Sequence, residues 1–269
     1  MTQTVLITGS SSGIGQATAQ LFAARGWKVA ATARNPAALA PLAGANVLTL
    51  RLDVTEEASI AAAVAATTDR FGSLDVLVNN AGYGLFGPLE GTSAEQLEAQ
   101  FRTNVFGVVA LIQQVVPLMR QRHSGTIITL SSTGGRVASP FAAAYHASKY
   151  AVEGLCESLR FELKRQGIRV KLVEPGHVKT GFMRSLTWAT HSAYEPHLSY
   201  WKAQVAQADA HAPRCEGVAR VIFKAATDQA WRLRYPAQAG SILTLHAALP
   251  DVLWSAMLSA GMNRPPRSR

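Results

Sequence analysis

Apolar positions follow two rhythms along this chain. Short runs dense in Val, Ile, Leu or Ala occupy residues 5–8, 28–33, 47–52, 76–78, 126–131 and 169–173. Between them, at 13–25, 56–70, 94–120 and 143–166, lie longer amphipathic stretches. The short runs suit strands covered on both faces, and the longer stretches suit helices packed on a core. Their alternation predicts a parallel sheet with helices on both sides, a doubly wound α/β fold. No repeat or linker interrupts it before residue 175.

The rhythm then changes. Residues 177–213 are irregular, rich in Trp, Tyr, His and Met, and show no strand signal. A helix is predicted over 215–228, a short strand near 233–235, and helical structure over 241–262 with a break at Pro250. The closing Arg264-Pro265-Pro266-Arg267-Ser268-Arg269 reads as a frayed end.

Composition narrows the class. A chain of 269 residues fits one large α/β domain, since such folds often run to about 250 residues. Residues 1–269 are therefore read as a single domain, with about 239–262 as a helical C-terminal extension. Hydrophobic residues make up 48% and charged residues only 16%, enough for a substantial core. Apolar runs are broken by Lys, Arg, Glu, Gly or Pro well before the roughly 20 residues of a membrane span. The N-terminus has no basic n-region and no cleavage site and reads as the first strand. No membrane span and a cytoplasmic location are expected. The net charge of +9 raises a nucleic-acid partner. The basic residues are scattered, however, and the densest run, 160–171, crosses a helix end into a strand, so no nucleic acid is expected. Cys156 and Cys215 have neither metal nor redox spacing, and His191, His197 and His211 lack acidic partners at ligand spacing; no metal is expected.

The first candidate chemistry lies between strand one and helix one. Thr8-Gly9-Ser10-Ser11-Ser12-Gly13-Ile14-Gly15 places glycines where a backbone must turn sharply and approach a pyrophosphate, with a helix N-terminus offering free N–H groups. The spacing is T-G-x-x-x-G-x-G, not G-x-G-x-x-G. Dinucleotide folds usually carry an acid about 20 residues on, for a ribose hydroxyl. Here the second strand ends Ala33-Arg34-Asn35 without a carboxylate. Arg34 suits a phosphate through paired charge-assisted hydrogen bonds, which favours NADP(H) over NAD(H); the alternative is a solvated surface arginine. Asp53-Val54 ends the third strand, where such sheets hold ligands. The Asp53 carboxylate could accept from an adenine amino group, cap the next helix, or do both.

Tyr145 and Lys149 are four residues apart and share a helix face. A nearby ammonium lowers a phenol's pKa, which makes the pair a general acid for a carbonyl oxygen or a general base for an alcohol. Together with the glycine loop, Asn79-Asn80-Ala81-Gly82, Asn104, Ser131-Ser132 and Pro175-Gly176, this order of motifs resembles the short-chain dehydrogenase/reductase family over about residues 3–185. The stretch from Tyr145 to Leu155, then Glu157-Ser158-Leu159 and Glu174-Pro175-Gly176, is similar to the group that holds type 1 17β-hydroxysteroid and retinol dehydrogenases.

The resemblance implies a Rossmann-type fold and assigns roles. Tyr145 would be the acid/base. Lys149 would bind the nicotinamide ribose and depress the tyrosine pKa. Ser132 would hydrogen-bond the reacting oxygen, while strand alternation points Ser131 the other way. Asn104 would hold a water in a relay to Lys149; read from the residue alone, it is a mid-helix polar group bonding to backbone. Gly9, Ser11, Ser12, Gly13, Ile14, Gly15, Arg34, Asp53 and Val54 would hold the adenosine and phosphate end. Asn80, Ala81 and Gly82 would line the ribose, with Asn79 bracing the sheet. Pro175, Gly176, Val178 and Thr180 would lie at the nicotinamide end.

These readings converge on a reversible NADPH-dependent reductase of ketones or aldehydes. The alternative is a non-catalytic NADP-binding redox sensor or scaffold. Residues 177–213 follow a sheet strand's C-terminal end and are aromatic beyond the needs of a connection, so they read as a lid over a bulky, largely apolar substrate. Phe182, Met183, Leu186 and Trp188 are the candidate contacts, and packing in the core or an oligomer interface is the alternative. His177 lies near the expected substrate mouth, and a loop histidine without catalytic duty is its simpler reading. Family resemblance and the apolar faces of 94–120 and 143–166 suggest a homodimer or homotetramer.

Overall fold

The computed structural model describes residues 2–262; the frayed end expected at Arg264 to Arg269 lies outside them. The strands in chain order are β1 (Thr4–Ile7), β2 (Lys28–Ala33), β3 (Val47–Arg51), β4 (Val76–Asn79), β5 (Leu85–Phe86), β6 (Gly125–Leu130), β7 (Ile168–Pro175), β8 (Thr187–Trp188) and β9 (Arg234–Ala237). The α-helices are α1 (Gly13–Ala24), α2 (Glu57–Phe71), α3 (Ala94–Phe101), α4 (Gly107–Gln121), α5 (Ala143–Lys164), α6 (His197–Ala210), α7 (Glu216–Thr227), α8 (Ile242–Ala248) and α9 (Asp251–Met262).

Seven strands form one sheet in the order β3-β2-β1-β4-β6-β7-β9, parallel throughout. Chain order reverses between β1 and β4, so their C-terminal ends flank the crevice where such sheets bind ligands. Alternation along each strand sorts the core into two layers. Leu6, Leu77, Ile127 and Leu172 point to the face covered by α2, α4 and α5, where Ile60, Leu111, Val115 and Val152 meet them. Val5, Ile7, Val78 and Val173 point to the other face, against Phe22 of α1 and Ile222 of α7. Full burial of each such side chain contributes about 1.5–3 kcal/mol, which holds the crevice on a rigid frame.

Helix ends follow local chemistry. Ser93 and Gln96 form a reciprocal capping box at the start of α3, and α2 stops at Gly72, a left-handed C-cap. The stretch 94–121 runs as one helix but contains a π turn at Arg102–Phe106 between α3 and α4. By length and hydropathy it could cross a membrane, yet Val108, Leu111, Ile112, Val115 and Met119 pack into the core.

Residues 177–213 depart from expectation. They hold β8, α6 and two 3-10 turns, Met183–Ser185 and Ser192–Tyr194. β8 pairs in parallel with β5, Leu85 opposite Thr187 and Phe86 opposite Trp188. A two-residue strand whose partner lies about a hundred positions away leaves no periodic trace, so a local reading finds none. Asp53 also departs from the capping reading. The N-cap of α2 is Glu56, while the Asp53 carboxylate accepts from the Thr55 N–H and hydroxyl at 2.9 and 2.7 Å, closing a tight turn before the helix.

Candidate active site

The β1–α1 loop is built around an uncapped helix start. Ser12 occupies the N-cap of α1 but its side chain makes no capping bond, so the first N–H groups of the helix face the cleft without that partner. Gly13 sits at φ +56° against Thr180, and a Cβ on Gly15 would collide with the Gly9 carbonyl and the Asn80 amide. Asn80 ties the loop to β4: its Nδ2 donates to Thr8 O and Gly9 O at 2.8 and 3.0 Å. The Thr8 hydroxyl in turn accepts from the N–H groups of Asn80 and Ala81, both at 2.9 Å. An orphaned helix terminus in a backbone-tight loop is a cradle for an anionic phosphate. Arg34 is exposed at the end of β2 and lines the same cleft as Asp53 and Val54. Burial pushes the Asp53 carboxyl upward, but the Thr55 bonds and the charges of Arg34 and Arg51 prevail and hold it below its ordinary value.

The cleft continues into the tyrosine site. Its volume is about 1340 Å³. Tyr145 and Lys149 lie on its floor on one face of α5, 9% and 8% exposed. Burial raises the Tyr145 phenol above its usual value, and a hydrogen bond with Ser132 acts in the opposite direction. Burial lowers Lys149 to about 8, and the Glu153 carboxylate one turn on opposes that fall. The ammonium donates to the Leu130 carbonyl at 2.8 Å and stands 6.0 Å from the Tyr145 ring centroid.

The neighbours of this pair are themselves braced. Ser132 accepts from the Gly134 N–H at 3.0 Å and Phe86 and Phe182 stand 5.6 and 5.8 Å from the Tyr145 ring. His146 receives the Ser139 N–H at Nε2 (2.9 Å) and faces the Gly134 carbonyl with Nδ1 (2.7 Å). That pattern calls for the neutral tautomer with its proton on Nδ1, and burial lowers the imidazole's pKa accordingly. Ser131 faces away, toward Gly135 and Glu153, as alternation requires; its hydroxyl is buried without a partner. Behind the site, Arg234 reaches Glu153 at 2.9 Å, Glu174 at 3.5 Å and Glu157 at 2.7 Å, and Arg136 reaches Glu174 at 3.4 Å.

The predicted site residues divide in the structure. Gly9, Ser11, Ser12, Gly13, Ile14, Arg34, Asp53, Val54, Asn80, Ala81, Gly82, Ser132, Tyr145, Lys149, Pro175, Gly176, Val178, Thr180, Phe182 and Met183 line the one cleft. Gly15 packs beneath the loop. Asn104 sits behind the wall in the π turn, its amide bonded to the Tyr83 backbone at 3.1 and 3.0 Å and to Ser148 at 3.2 Å. Leu186 and Trp188 are off the wall: Leu186 packs on Gly84, and Trp188 stacks edge-on against Phe86 at 5.7 Å. Asn79 donates to Thr129 on β6. His177 lines the cleft, with its Nε2 3.4 Å from Asp209 of α6. Tyr200 and Trp201 of α6, aromatics of the expected lid, close the far end together with Val205 of α6 and Trp254, Met257 and Leu258 of α9, which the pattern did not single out. The helical character of α9 was readable in the sequence, that of α6 was not.

Comparison with known proteins agrees with this geometry. Residues 3–190 match the family model described as short chain dehydrogenase. An uncharacterized oxidoreductase of Schizosaccharomyces pombe is 39% identical over 193 residues, 71% of this chain and 81% of that protein. The 17-beta-hydroxysteroid dehydrogenase type 1 of Mus musculus is 42% identical over 203 residues, 71% of this chain and 58% of the mouse protein. A crystal structure of a short-chain dehydrogenase from Streptomyces avermitilis superposes with a TM-score of 0.85 at 31% identity, over 99% of this chain and 100% of that one. Two further solved structures, each 26% identical, hold nucleotides. One from Burkholderia phymatum is in complex with NAD (TM-score 0.82; 100% of this chain, 97% of that one). The other is ElxO with NADP bound (TM-score 0.76; 90% and 99%).

Proposed function

The chain belongs to the short-chain dehydrogenase/reductase family of oxidoreductases, and from that premise we infer that it reduces a bulky, largely apolar ketone or aldehyde with NADPH, reversibly. The observation that carries the reading is the cluster of half-buried Ser132 with buried Tyr145 and Lys149 at the floor of the cleft that the uncapped start of α1 also faces. The residues present fit a dinucleotide: an orphaned helix terminus for the pyrophosphate, and Arg34, with no carboxylate ending β2, for a 2′-phosphate. A bound NADPH would supply the hydride.

This chain's own residues handle the proton and the charge. The raised Tyr145 phenol is protonated at neutral pH and donates to a carbonyl oxygen as that oxygen gains charge. The Ser132 hydroxyl, which lines the same cleft floor, steadies the same oxygen. With a pKa of about 8, Lys149 is a cation at neutral pH and offsets the phenolate left behind. Asn104 acts on this set through the Tyr83 backbone and Ser148 that it holds. The apolar end of the cleft, lined by Phe182, Met183, Tyr200, Trp201 and Trp254, takes the body of the substrate. Residues 177–213, with α6 at their centre, act as the lid. The exposed Leu89, Phe106 and Phe161 support self-association as a dimer or tetramer.

The test is a carbonyl panel of aryl ketones, medium-chain aldehydes, steroid-like ketones and small polar ketones, run with NADPH and NADH in parallel. Turnover on the apolar members with NADPH is expected, and Tyr145→Phe is expected to bind NADPH yet turn over at least about a hundredfold slower. NADPH binding without turnover on any member would favour the sensor or scaffold reading.

A further inference from the structure

The helical pair α8–α9 presents apolar side chains in two directions. From Ile242 to Met262 the sequence contains one acid, Asp251, and no lysine or arginine. His246 of α8 stacks edge-on against Trp254 of α9 at 4.9 Å. The N–H groups of Leu253 and Trp254 donate to the Pro250 carbonyl and close the first turn of α9, so the His246–Trp254 contact is what ties α8 to it. Inward, Trp254, Met257 and Leu258 close the cleft. Val252 and Leu253 of α9 are 77% and 55% exposed and lie off the cleft wall, and Leu245 of α8 is exposed as well. Water-facing surfaces seldom leave neighbouring side chains of this size uncovered. The sequence that follows the hairpin carries Arg264, Arg267 and Arg269 and no acid.

We propose that the α8–α9 hairpin docks on an anionic lipid bilayer, lying at headgroup level with the far end of the cleft turned toward the acyl chains. An apolar helix surface with a single acid, followed in sequence by a basic segment, is the combination that partitions into a membrane interface. A second copy fits less well, because the same face of another copy offers no anionic complement to the three arginines that follow α9 in the sequence. The hairpin separates the cleft from its own outer apolar face, so a lipid-dissolved substrate would meet the wall lined by Trp254, Met257 and Leu258. That route rests on the reductase reading above, whereas the docking does not.

Co-sedimentation of the full chain with phosphatidylcholine vesicles, with and without phosphatidylglycerol, tests the proposal. Binding is expected to be about a hundredfold tighter to the anionic vesicles, on the scale of three arginines near a charged surface, and to weaken at high salt. The double variant Val252→Glu/Leu253→Glu should lose at least about tenfold of that binding. Neither residue lines the cleft, so the variant should retain NADPH binding and turnover of a water-soluble ketone, which separates lost docking from misfolding. Arg264→Ser/Arg267→Ser/Arg269→Ser should remove the preference for anionic vesicles. Absence of sedimentation with either vesicle, or equal sedimentation of the double variant, overturns the proposal. So does a wild-type dimer that Val252→Glu/Leu253→Glu converts to monomer, which would assign the face to a second copy. If the wild type turns over no carbonyl but still sediments, the docking stands and the reductase reading falls.

Discussion

Lys149→Met is expected to abolish turnover and to stabilise the protein. The Lys149 side chain is 8% exposed, and its pKa falls from 10.5 to about 8 because burial penalises the ammonium more than Glu153 favours it. That fall corresponds to about 3 kcal/mol of unfavourable free energy for carrying the charge in the folded state. Methionine has a similar length and no charge, so the substitution removes this cost. It also leaves the Leu130 carbonyl, which now accepts at 2.8 Å, without its donor, a loss of about 1 kcal/mol. Glu153 keeps Arg234 at 2.9 Å. The net expectation at pH 7 is a gain of about 2 kcal/mol.

The sign of the pH dependence makes the idea testable. A lysine whose folded pKa is depressed binds fewer protons in the folded state than in the unfolded state between the two pKa values. The wild type is therefore penalised in full below about 8 and recovers as pH rises toward 10.5. The gap between Lys149→Met and the wild type should be widest at pH 7 and close across that window. Urea melts of both proteins without nucleotide, at pH 7 and pH 10, measure it; using the difference cancels the buried Cys156 and Tyr235, which both share and which also titrate at high pH. A less stable variant at pH 7, or a gap that does not change with pH, would refute the reasoning.

Three further outcomes follow from the same geometry. Arg34→Ala is expected to weaken NADPH by roughly ten- to hundredfold while leaving NADH nearly unchanged, because a charge-assisted contact contributes about 1.5–3 kcal/mol; parallel fluorescence titrations check it, and equal losses for both nucleotides would contradict it. Gly15→Ala drives a methyl group into the Gly9 carbonyl and the Asn80 amide; nucleotide binding should be lost together with about 1–3 kcal/mol of stability, and normal NADPH titration would count against the loop assignment. Glu153→Gln should move the alkaline limb of kcat/KM to lower pH, since the carboxylate holds Lys149 up. Glu157→Gln, which removes only the exposed partner of Arg234, should not, and a shift of equal size in both would mean that the ion network acts only as scaffolding.

The doubly wound fold and most of the cleft wall around the β1–α1 loop are legible along the chain because they rest on local patterns. Six of the seven sheet strands and four of the flanking helices follow from periodicity alone, since each buries one face or both through neighbours in sequence. Gly9, Gly13, Tyr145 and Lys149 are readable for the same reason: a glycine loop at a strand end and an i, i+4 pair carry their geometry within a few residues. The substrate half is different. β5 and β8 are two residues each and exist only because residues 85–86 and 187–188 meet across the fold, and that pairing turns Trp188 onto Phe86 and off the cleft wall. Asn104, mid-helix in the sequence, ends in a π turn with its amide committed to Tyr83. Trp254, Met257 and Leu258 line the cleft only because of where α9 lies in the assembled fold. A side chain's periodic position decides which face of its own element it occupies, but what that face meets depends on contacts between elements distant in sequence, and those exist only once the whole sheet has been assembled.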